Sequence, residues 1–172
     1  MNEKKRIHVA IDGPNFFYTQ KDELGWFADP KKIISWIEKH ADGTVTSAVY
    51  YDALDAGSVE QTSRSKFLKA LPHMGYALST TPLKTFRDEE GSFQQACITS
   101  NMMLDIWKSS DNFDAILLVS GSRDFEEVIE RLCKSGKEVY ILSTPDYISS
   151  ELHAKVGRGF VNLHNIKPDI AK

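Results

Sequence analysis

Two apolar runs in the sequence are each followed by a carboxylate that could bind a metal ion. The first run ends at Ile11 and is followed directly by Asp12, and the other ends at Val119, five residues before Asp124. Mg²⁺ and Mn²⁺ bind oxygen ligands, often one or two carboxylates together with water and phosphate oxygens. Asp12 and Asp124 are therefore predicted to ligate one divalent cation, and the Asn15 amide is predicted to orient Asp12 or a water. A pair of ions that cleaves a phosphodiester bond needs further acids.

Structural roles are the alternative for the residues around Asp124. An acid in the first turn of a helix is stabilised by the helix macrodipole, which suits Asp124. Ser122 has the side chain of a helix N-cap. Arg123 either extends into solvent or places a guanidinium beside Asp124, where it would compete with a metal ion or bind a phosphate. These alternatives stay open at the level of the sequence.

The elements that must position these residues are strands alternating with helices. Apolar, β-branched runs predict strands at 7–11, 45–51, 76–79, 116–119, 139–142 and 160–163. Apolar residues at helical spacing predict helices at 30–40, 59–71, 93–108 and 125–135. Residues 80–91 are predicted to be a long irregular loop. The alternation predicts a Rossmann-like three-layer α/β/α sandwich with a mainly parallel sheet.

Ligands of such sheets bind at the carboxyl ends of the strands. If the first and fourth predicted strands are neighbours, Asp12 and Asp124 share one crevice. Asp52 follows the second strand at the same edge. Aromatic residues cluster after the first strand, and most are predicted to be core or a partner surface, with Phe16 or Tyr18 at the mouth of the crevice.

Composition is typical of one globular domain, with 172 residues, 41% hydrophobic and 26% charged. We expect a single domain over residues 1–172 with a core from about 6 to 166. The net charge of −3 gives no general attraction to nucleic acid. Because no apolar run is long enough to span a bilayer and no signal peptide is seen, we expect a soluble, cytoplasmic protein without a membrane partner. Cys97 and Cys133, without metal-type spacing, are predicted to be reduced core thiols.

Several short motifs follow one another in an order typical of one protein family. They are Asp12-Gly-Pro-Asn15, Tyr51-Asp52, Pro82-Leu83-Lys84, Leu118-Val-Ser-Gly with Asp124-Phe125, and Ser149-Ser-Glu-Leu152 before Phe160-Val161. From Arg6 to about Ile166 the sequence resembles the NYN domain, and more narrowly its LabA-like branch within the PIN-like nuclease superfamily. The resemblance implies a PIN-like fold and Mg²⁺- or Mn²⁺-dependent cleavage of RNA by clustered acids.

The sequence departs from the family pattern at three acidic positions. Ser122 stands where the family has the first acid of its turn, and Gln95 and Asn101 align with two further acids. Amides keep oxygen acceptors but lose the charge that attracts a divalent cation. In an alternative interpretation another acid replaces a missing one; the candidates are Asp52, Asp88, Glu89 and Glu90. The resemblance therefore implies an incomplete acidic cluster.

Basic residues beside these positions could contact RNA. Lys84 and Arg87 flank Phe86, a combination suited to a phosphate and a stacked base. Arg123, together with Ser120 and the backbone of the turn that follows it, is predicted to bind a phosphate.

Three functions are compatible with this sequence. The first is a metal-dependent NYN ribonuclease that uses Asp12, Asn15 and Asp124. The alternative is a catalytically degraded NYN domain that binds RNA or a protein partner without cleavage. RNA is the expected partner, and a homo-oligomer is left open. A third, less supported function is a small-molecule phosphohydrolase that uses the turn after Val119 as a phosphate cradle.

Overall fold

The computed structural model describes residues 3–54, 63–95 and 97–172, with the backbone alone for residues 93–95. The strands are β1 (Lys5–Asp12), β2 (Gly43–Leu54), β3 (Ala77–Pro82), β4 (Lys84–Asp88), β5 (Gly91–Gln95), β6 (Ala115–Val119), β7 (Glu138–Ser143) and β8 (Phe160–Asn162). The helices are α1 (Gly13–Tyr18), α2 (Pro30–His40), α3 (Ser63–Ala70), α4 (Ile98–Lys108), α5 (Glu126–Lys134), α6 (Ser150–Val156) and α7 (Lys167–Ile170). A π-helical turn (Thr19–Leu24) follows α1.

Six strands form one sheet in the order β3-β2-β1-β6-β7-β8, and each pair of neighbours is parallel. β1 lies between β2 and β6, with Asp12 opposite Tyr51 on one side and Ile11 opposite Val119 on the other. The first and fourth predicted strands are therefore neighbours, and their carboxyl ends lie side by side.

Two apolar layers cover the sheet, because successive side chains of a strand point to opposite faces. Val9 and Ile11 of β1 pack in the cluster that includes Ile33 and Ile37 of α2. Ala10 packs on the other face, in the cluster that includes the buried residues of α4 and α5. All five residues of β6 are buried. The predicted three-layer sandwich is thus confirmed.

The structure corrects the predicted loop at 80–91. β3 continues to Pro82, and β4 and β5 form an antiparallel hairpin, separate from the main sheet, in which Phe86 pairs with Phe93. The helix predicted at 93–108 therefore begins only at Ile98. Of the helix predicted at 59–71, the structure has α3 and a 3₁₀ turn at Leu71–Met74, and residues 59–62 lie outside the described part.

The prediction of core thiols is wrong, because Cys97 and Cys133 are both exposed and unbonded to each other. Cys97 is the residue before α4. On α5 the buried stripe consists of Val128, Ile129 and Leu132. Cys133 is the next residue along the helix and is rotated by about 100° from Leu132, which places it off that stripe.

None of the helices in the described part of the chain could cross a membrane. The longest α-helices there, α2 and α4, have 11 residues each. A membrane-spanning helix needs about 20 predominantly apolar residues.

Candidate functional site

Asp12 lies at the junction of β1 and α1 and is buried, with 5% of its surface exposed. One of its carboxylate oxygens accepts a hydrogen bond from the Asn15 backbone N–H at 3.4 Å, which caps α1. Pro14 in the first turn favours this helix start. A side chain at Gly13 would lie 2.3 Å from the Tyr51 carbonyl oxygen, so the chain can turn here only with glycine.

The turn after β6 binds the other side of Asp12. The Ser120 hydroxyl donates to the second carboxylate oxygen at 3.0 Å, and the Gly121 N–H donates to the Asn15 side-chain oxygen at 3.3 Å. Asn15 therefore contacts Asp12 through its backbone, while its amide oxygen holds the turn. We call the space at these two strand ends, bounded by Asp12, Asn15, Ser120 and Asp124, the crevice.

Burial dominates the electrostatics of Asp12. The pKa of its carboxyl is raised above the ordinary value, mainly because burial penalises the charged form. The hydrogen bonds from Ser120 and the Asn15 backbone lower the pKa, and the negative charges of Asp124 and Asp52 raise it further. The charges of these acids thus act on one carboxyl group.

Asp124 lies in a short 3₁₀ turn, Arg123–Phe125, that leads into α5. Ser122 is the N-cap of this turn, since its hydroxyl oxygen accepts from the Asp124 N–H at 3.3 Å. Asp124 and Arg123 are both exposed. Asp124 thus lies near enough to Asp12 for its negative charge to raise the pKa of that carboxyl, and Arg123 is exposed on the same turn.

The backbone of this turn is already engaged by side chains. The Ser122 N–H donates to the Ser120 hydroxyl oxygen at 3.2 Å, and the N–H groups of Gly121 and Asp124 donate to Asn15 and Ser122. These groups are not available to an anion unless the turn rearranges. The turn therefore gives no support to the phosphohydrolase alternative.

The turn is also fixed from behind by the loop after β7. A side chain at Gly121 would lie 2.2 Å from the Tyr147 carbonyl oxygen, and the Gly121 carbonyl accepts from the Ser149 N–H at 3.0 Å. Ser149 in turn caps α6 by accepting from the Leu152 N–H at 3.2 Å. The motif Ser149–Leu152 thus holds in place the turn that contacts Asp12.

Asp52 is buried near the end of β2 and forms an ion pair with Arg64 of α3. The Arg64 Nε donates to one Asp52 oxygen at 3.2 Å, and an Nη donates to the other. The guanidinium therefore neutralises the candidate replacement acid that lies nearest to Asp12. Sequence reasoning missed Arg64, because an arginine on a polar helix surface carries no signal. The signal that could have found it is Asp52 itself, because an acid buried at a strand end needs a counter-ion.

Two of the other acidic and amide positions, Asn101 and Asp88, have hydrogen-bond partners of their own. The Asn101 amide donates to the Thr81 hydroxyl at 2.9 Å. Gln95 lies in β5, and its side chain is outside the described part. Asp88 closes the hairpin turn by accepting from the N–H groups of Glu90 and Gly91 at 2.9 and 3.0 Å. Glu89 and Glu90 are exposed in that turn.

These donors do not fit a two-ion metal site. Within the described residues, no group of three or more His, Cys, Asp or Glu side chains is arranged to hold a metal ion. Two-ion cleavage requires ions clamped about 4 Å apart by several carboxylates. One hydrated Mg²⁺ or Mn²⁺ commonly takes one or two carboxylates from a protein, the number that Asp12 and Asp124 would supply.

The predicted RNA-binding cations are exposed, but they lie on a strand and not in a loop. Lys84, Phe86 and Arg87 belong to β4, and all three are exposed. Side chains alternate along a strand, so Lys84 and Phe86 share one face of the hairpin and Arg87 lies on the other. A single ligand on one face of the hairpin would therefore contact only one of these two cations.

An aromatic cavity of about 700 Å³ lies beside Asp52 and Arg64. Its lining includes Phe17, Tyr18, Phe27, Tyr50, Phe67 and Lys172. Most of the lining is apolar, and Gly13 and Pro14 form part of the wall. Phe16 and Tyr18, one of which was predicted at the mouth of the crevice, both line this cavity, whose lining includes neither Asp12 nor Asp124.

Sequence and fold comparisons relate this chain to proteins already described. The NYN domain family matches residues 6–163. The chain is 31% identical over 170 residues to the low amplitude and bright protein LabA of Synechococcus elongatus, with 97% of this chain and 88% of LabA covered. Its fold is similar to that of VPA0982, a protein of unknown function from Vibrio parahaemolyticus, with a TM-score of 0.81 and 21% identity. That similarity, which is one of fold, covers 100% of this chain and 99% of the other.

Proposed function

This chain belongs to the NYN domain family, and on that premise we propose that it binds single-stranded RNA at the crevice without two-ion cleavage. In this proposal the PIN-like scaffold is kept, and the acidic cluster of a nuclease is not. Binding then needs no metal ion.

The observation that carries the proposal is that, among the described residues, the acids near Asp12 do not form a cluster that could hold two metal ions. Asp52, whose charge acts on Asp12, is neutralised by Arg64. Asn101 has no charge to contribute, and its amide bonds to Thr81. Because carboxylate charge drives the binding of Mg²⁺, the remaining pair of acids is a poor substitute for a full cluster.

Exposed cations on the turn after β6 and on β4 supply the attraction for RNA in this proposal. Arg123 lies on the turn after β6, and Lys84 and Arg87 extend from β4. Contacts between such side chains and phosphates release bound counterions, so affinity falls as salt concentration rises. The net charge of −3 makes binding depend on these local cations.

The test is fluorescence anisotropy with a short labelled RNA in EDTA at several salt concentrations. We expect binding without metal, weakened by salt and by the double change Arg123→Gln with Lys84→Gln. Lys39→Gln is the matched control, because Lys39 is an exposed cation near the end of α2, before β2 begins at the opposite edge of the sheet. Absence of binding at low salt, or equal losses for both variants, would overturn the proposal.

A metal-dependent ribonuclease is the second candidate, favoured by the electrostatic coupling of Asp124 with Asp12 in one crevice. It predicts cleavage of single-stranded RNA in Mn²⁺ or Mg²⁺ that is abolished by Asp12→Asn. The same labelled RNA, incubated with each metal and resolved on a gel, separates the two candidates. Cleavage by the unmodified protein that Asp12→Asn removes would replace the binding proposal with this one.

A further inference from the structure

The aromatic cavity beside the Asp52–Arg64 ion pair has a composition that core packing does not explain. Phe16 and Tyr50, which line its inner wall, are buried and belong to the core. Phe17, Tyr18 and Phe27 are 45%, 54% and 42% exposed. Contiguous exposed apolar surface is costly in water and typically marks a binding site.

These three rings form one continuous wall. The rings of Phe17 and Tyr18 meet edge to face with centroids 5.5 Å apart, and Phe17 lies 6.1 Å from Phe27. Rings in mutual contact lose little conformational freedom when a planar ligand stacks on them. The cavity volume of about 700 Å³ lies within the range of small-ligand sites, roughly 300–1,000 Å³.

Cations accompany the aromatic wall. Arg64 lines the cavity, and 56% of its side chain is exposed even though it pairs with Asp52. Lys172 also lines the cavity, with its Nζ 5.4 Å from the centre of the Phe67 ring. Rings for a base together with guanidinium and ammonium groups for a phosphate are the elements of single-strand recognition. A purely apolar ligand would make no use of these cations.

The cavity adjoins the crevice. Gly13 and Pro14 form part of its wall and directly follow Asp12, and the charge of Asp52 acts on Asp12. A nucleotide in the cavity would thus lie next to the strand ends where the rest of the RNA is expected.

We propose that this cavity binds one base of single-stranded RNA against the rings of Phe17, Tyr18 and Phe27, with its phosphate at Arg64. This inference rests on the proposed RNA binding and adds to it a subsite that holds one base. Affinity at this subsite depends on the rings and on the presence of a base.

The test compares variants of the exposed rings on two RNAs, one complete and one with abasic nucleotides throughout. We expect Tyr18→Ala and Phe17→Ala each to weaken binding of the complete RNA by about tenfold, and Tyr18→Phe to retain it. Binding of the abasic RNA should be weaker at the outset and insensitive to these changes. Trp107→Ala is the matched control, since Trp107 is 43% exposed on α4 and does not line the cavity.

The outcomes separate the inference from the function on which it rests. If the unmodified protein binds no RNA, the proposed function fails and the subsite fails with it. If RNA binds and the ring variants bind it equally well, only the subsite is overturned. Equal losses for complete and abasic RNA would also overturn it, because the rings would then act without a base. Melting temperatures of the variants, expected to be unchanged, exclude misfolding as the cause.

Discussion

At the scale of single residues, hydrogen bonding and burial have opposite effects on the pKa of Asp12. Its carboxylate accepts hydrogen bonds from Ser120 and the Asn15 backbone, which favour the charged form. Burial and the neighbouring acids favour the neutral form, and they prevail, so that the pKa lies above its ordinary value of 3.8. The folded state therefore binds the Asp12 proton more tightly than the unfolded chain does.

This difference predicts how stability changes with pH. Because the folded-state pKa is the higher one, Asp12 lowers the free energy of unfolding as pH rises from 3.8 through that pKa. Asp12→Asn removes the ionisation at a cost of about 1 kcal/mol for the altered hydrogen bonds. We expect the variant to lose less stability than the unmodified protein between pH 4 and neutrality. Urea unfolding across this range measures the difference, and parallel curves for the two proteins would contradict it.

The sequence identifies the acids that end or follow strands better than it identifies their partners. Asp12 and Asp124 could be placed because an apolar run sets where each strand ends. The ion pair of Asp52 with Arg64 could not be placed in this way. It joins a strand to a helix twelve positions later in the sequence, and only the fold determines that the two side chains meet.

At the scale of elements, the β4–β5 hairpin is the feature that sequence periodicity misses. All of β4 is exposed, so its residues show no alternation of apolar and polar side chains that would mark a half-buried strand. The strands are defined by backbone pairing and by the turn that Asp88 closes. In β4, backbone hydrogen bonds and not burial hold the strand in place.

The hairpin should accordingly depend on one side chain. Asp88→Ala removes the acceptor for the N–H groups of Glu90 and Gly91, which we expect to cost about 1 kcal/mol of local stability. Amide hydrogen exchange should accelerate in β4 and β5 and stay unchanged in β1 and β6. Glu89→Ala, in the same turn, is the control. Equal exchange rates in the Asp88→Ala and unmodified proteins would show that the turn does not depend on this carboxylate.

At the scale of the whole molecule, strand order decides which residues meet. The alternation of strands and helices predicts a parallel sheet, but many strand orders satisfy it. The adjacency of β1 and β6 joins residues more than a hundred positions apart, such as Ser120 and Asp12. Such long-range pairing depends on the packing of all layers together, which no local pattern encodes.

The same architecture predicts how a metal site could be restored. Asn101 lies near the start of α4, a helix that packs against the face of β1 and β2, and Ser122 caps the turn after β6. Asn101→Asp with Ser122→Asp and Gln95→Asp adds three negative charges to the positions where the family pattern has acids. We expect tighter Mn²⁺ binding by calorimetry and a higher melting temperature in Mn²⁺ than for the unmodified protein.

The control is Asp105→Asn in the same triple variant, because Asp105 lies on α4 and is engaged by the Tyr51 hydroxyl at 3.1 Å. It removes a carboxylate without touching the crevice residues, so Mn²⁺ binding should persist. An unchanged affinity in the triple variant would mean that the restored acids do not converge on Asp12.

The hydrogen bonds that join Asp12, Asn15 and the turn after β6 also bear on how this family's sequences evolve. They connect two central strands, so selection for a stable fold alone would retain Asp12, Asn15 and Ser120. Their presence in another sequence would therefore be evidence for the same connection between strands, and would not by itself be evidence for catalysis.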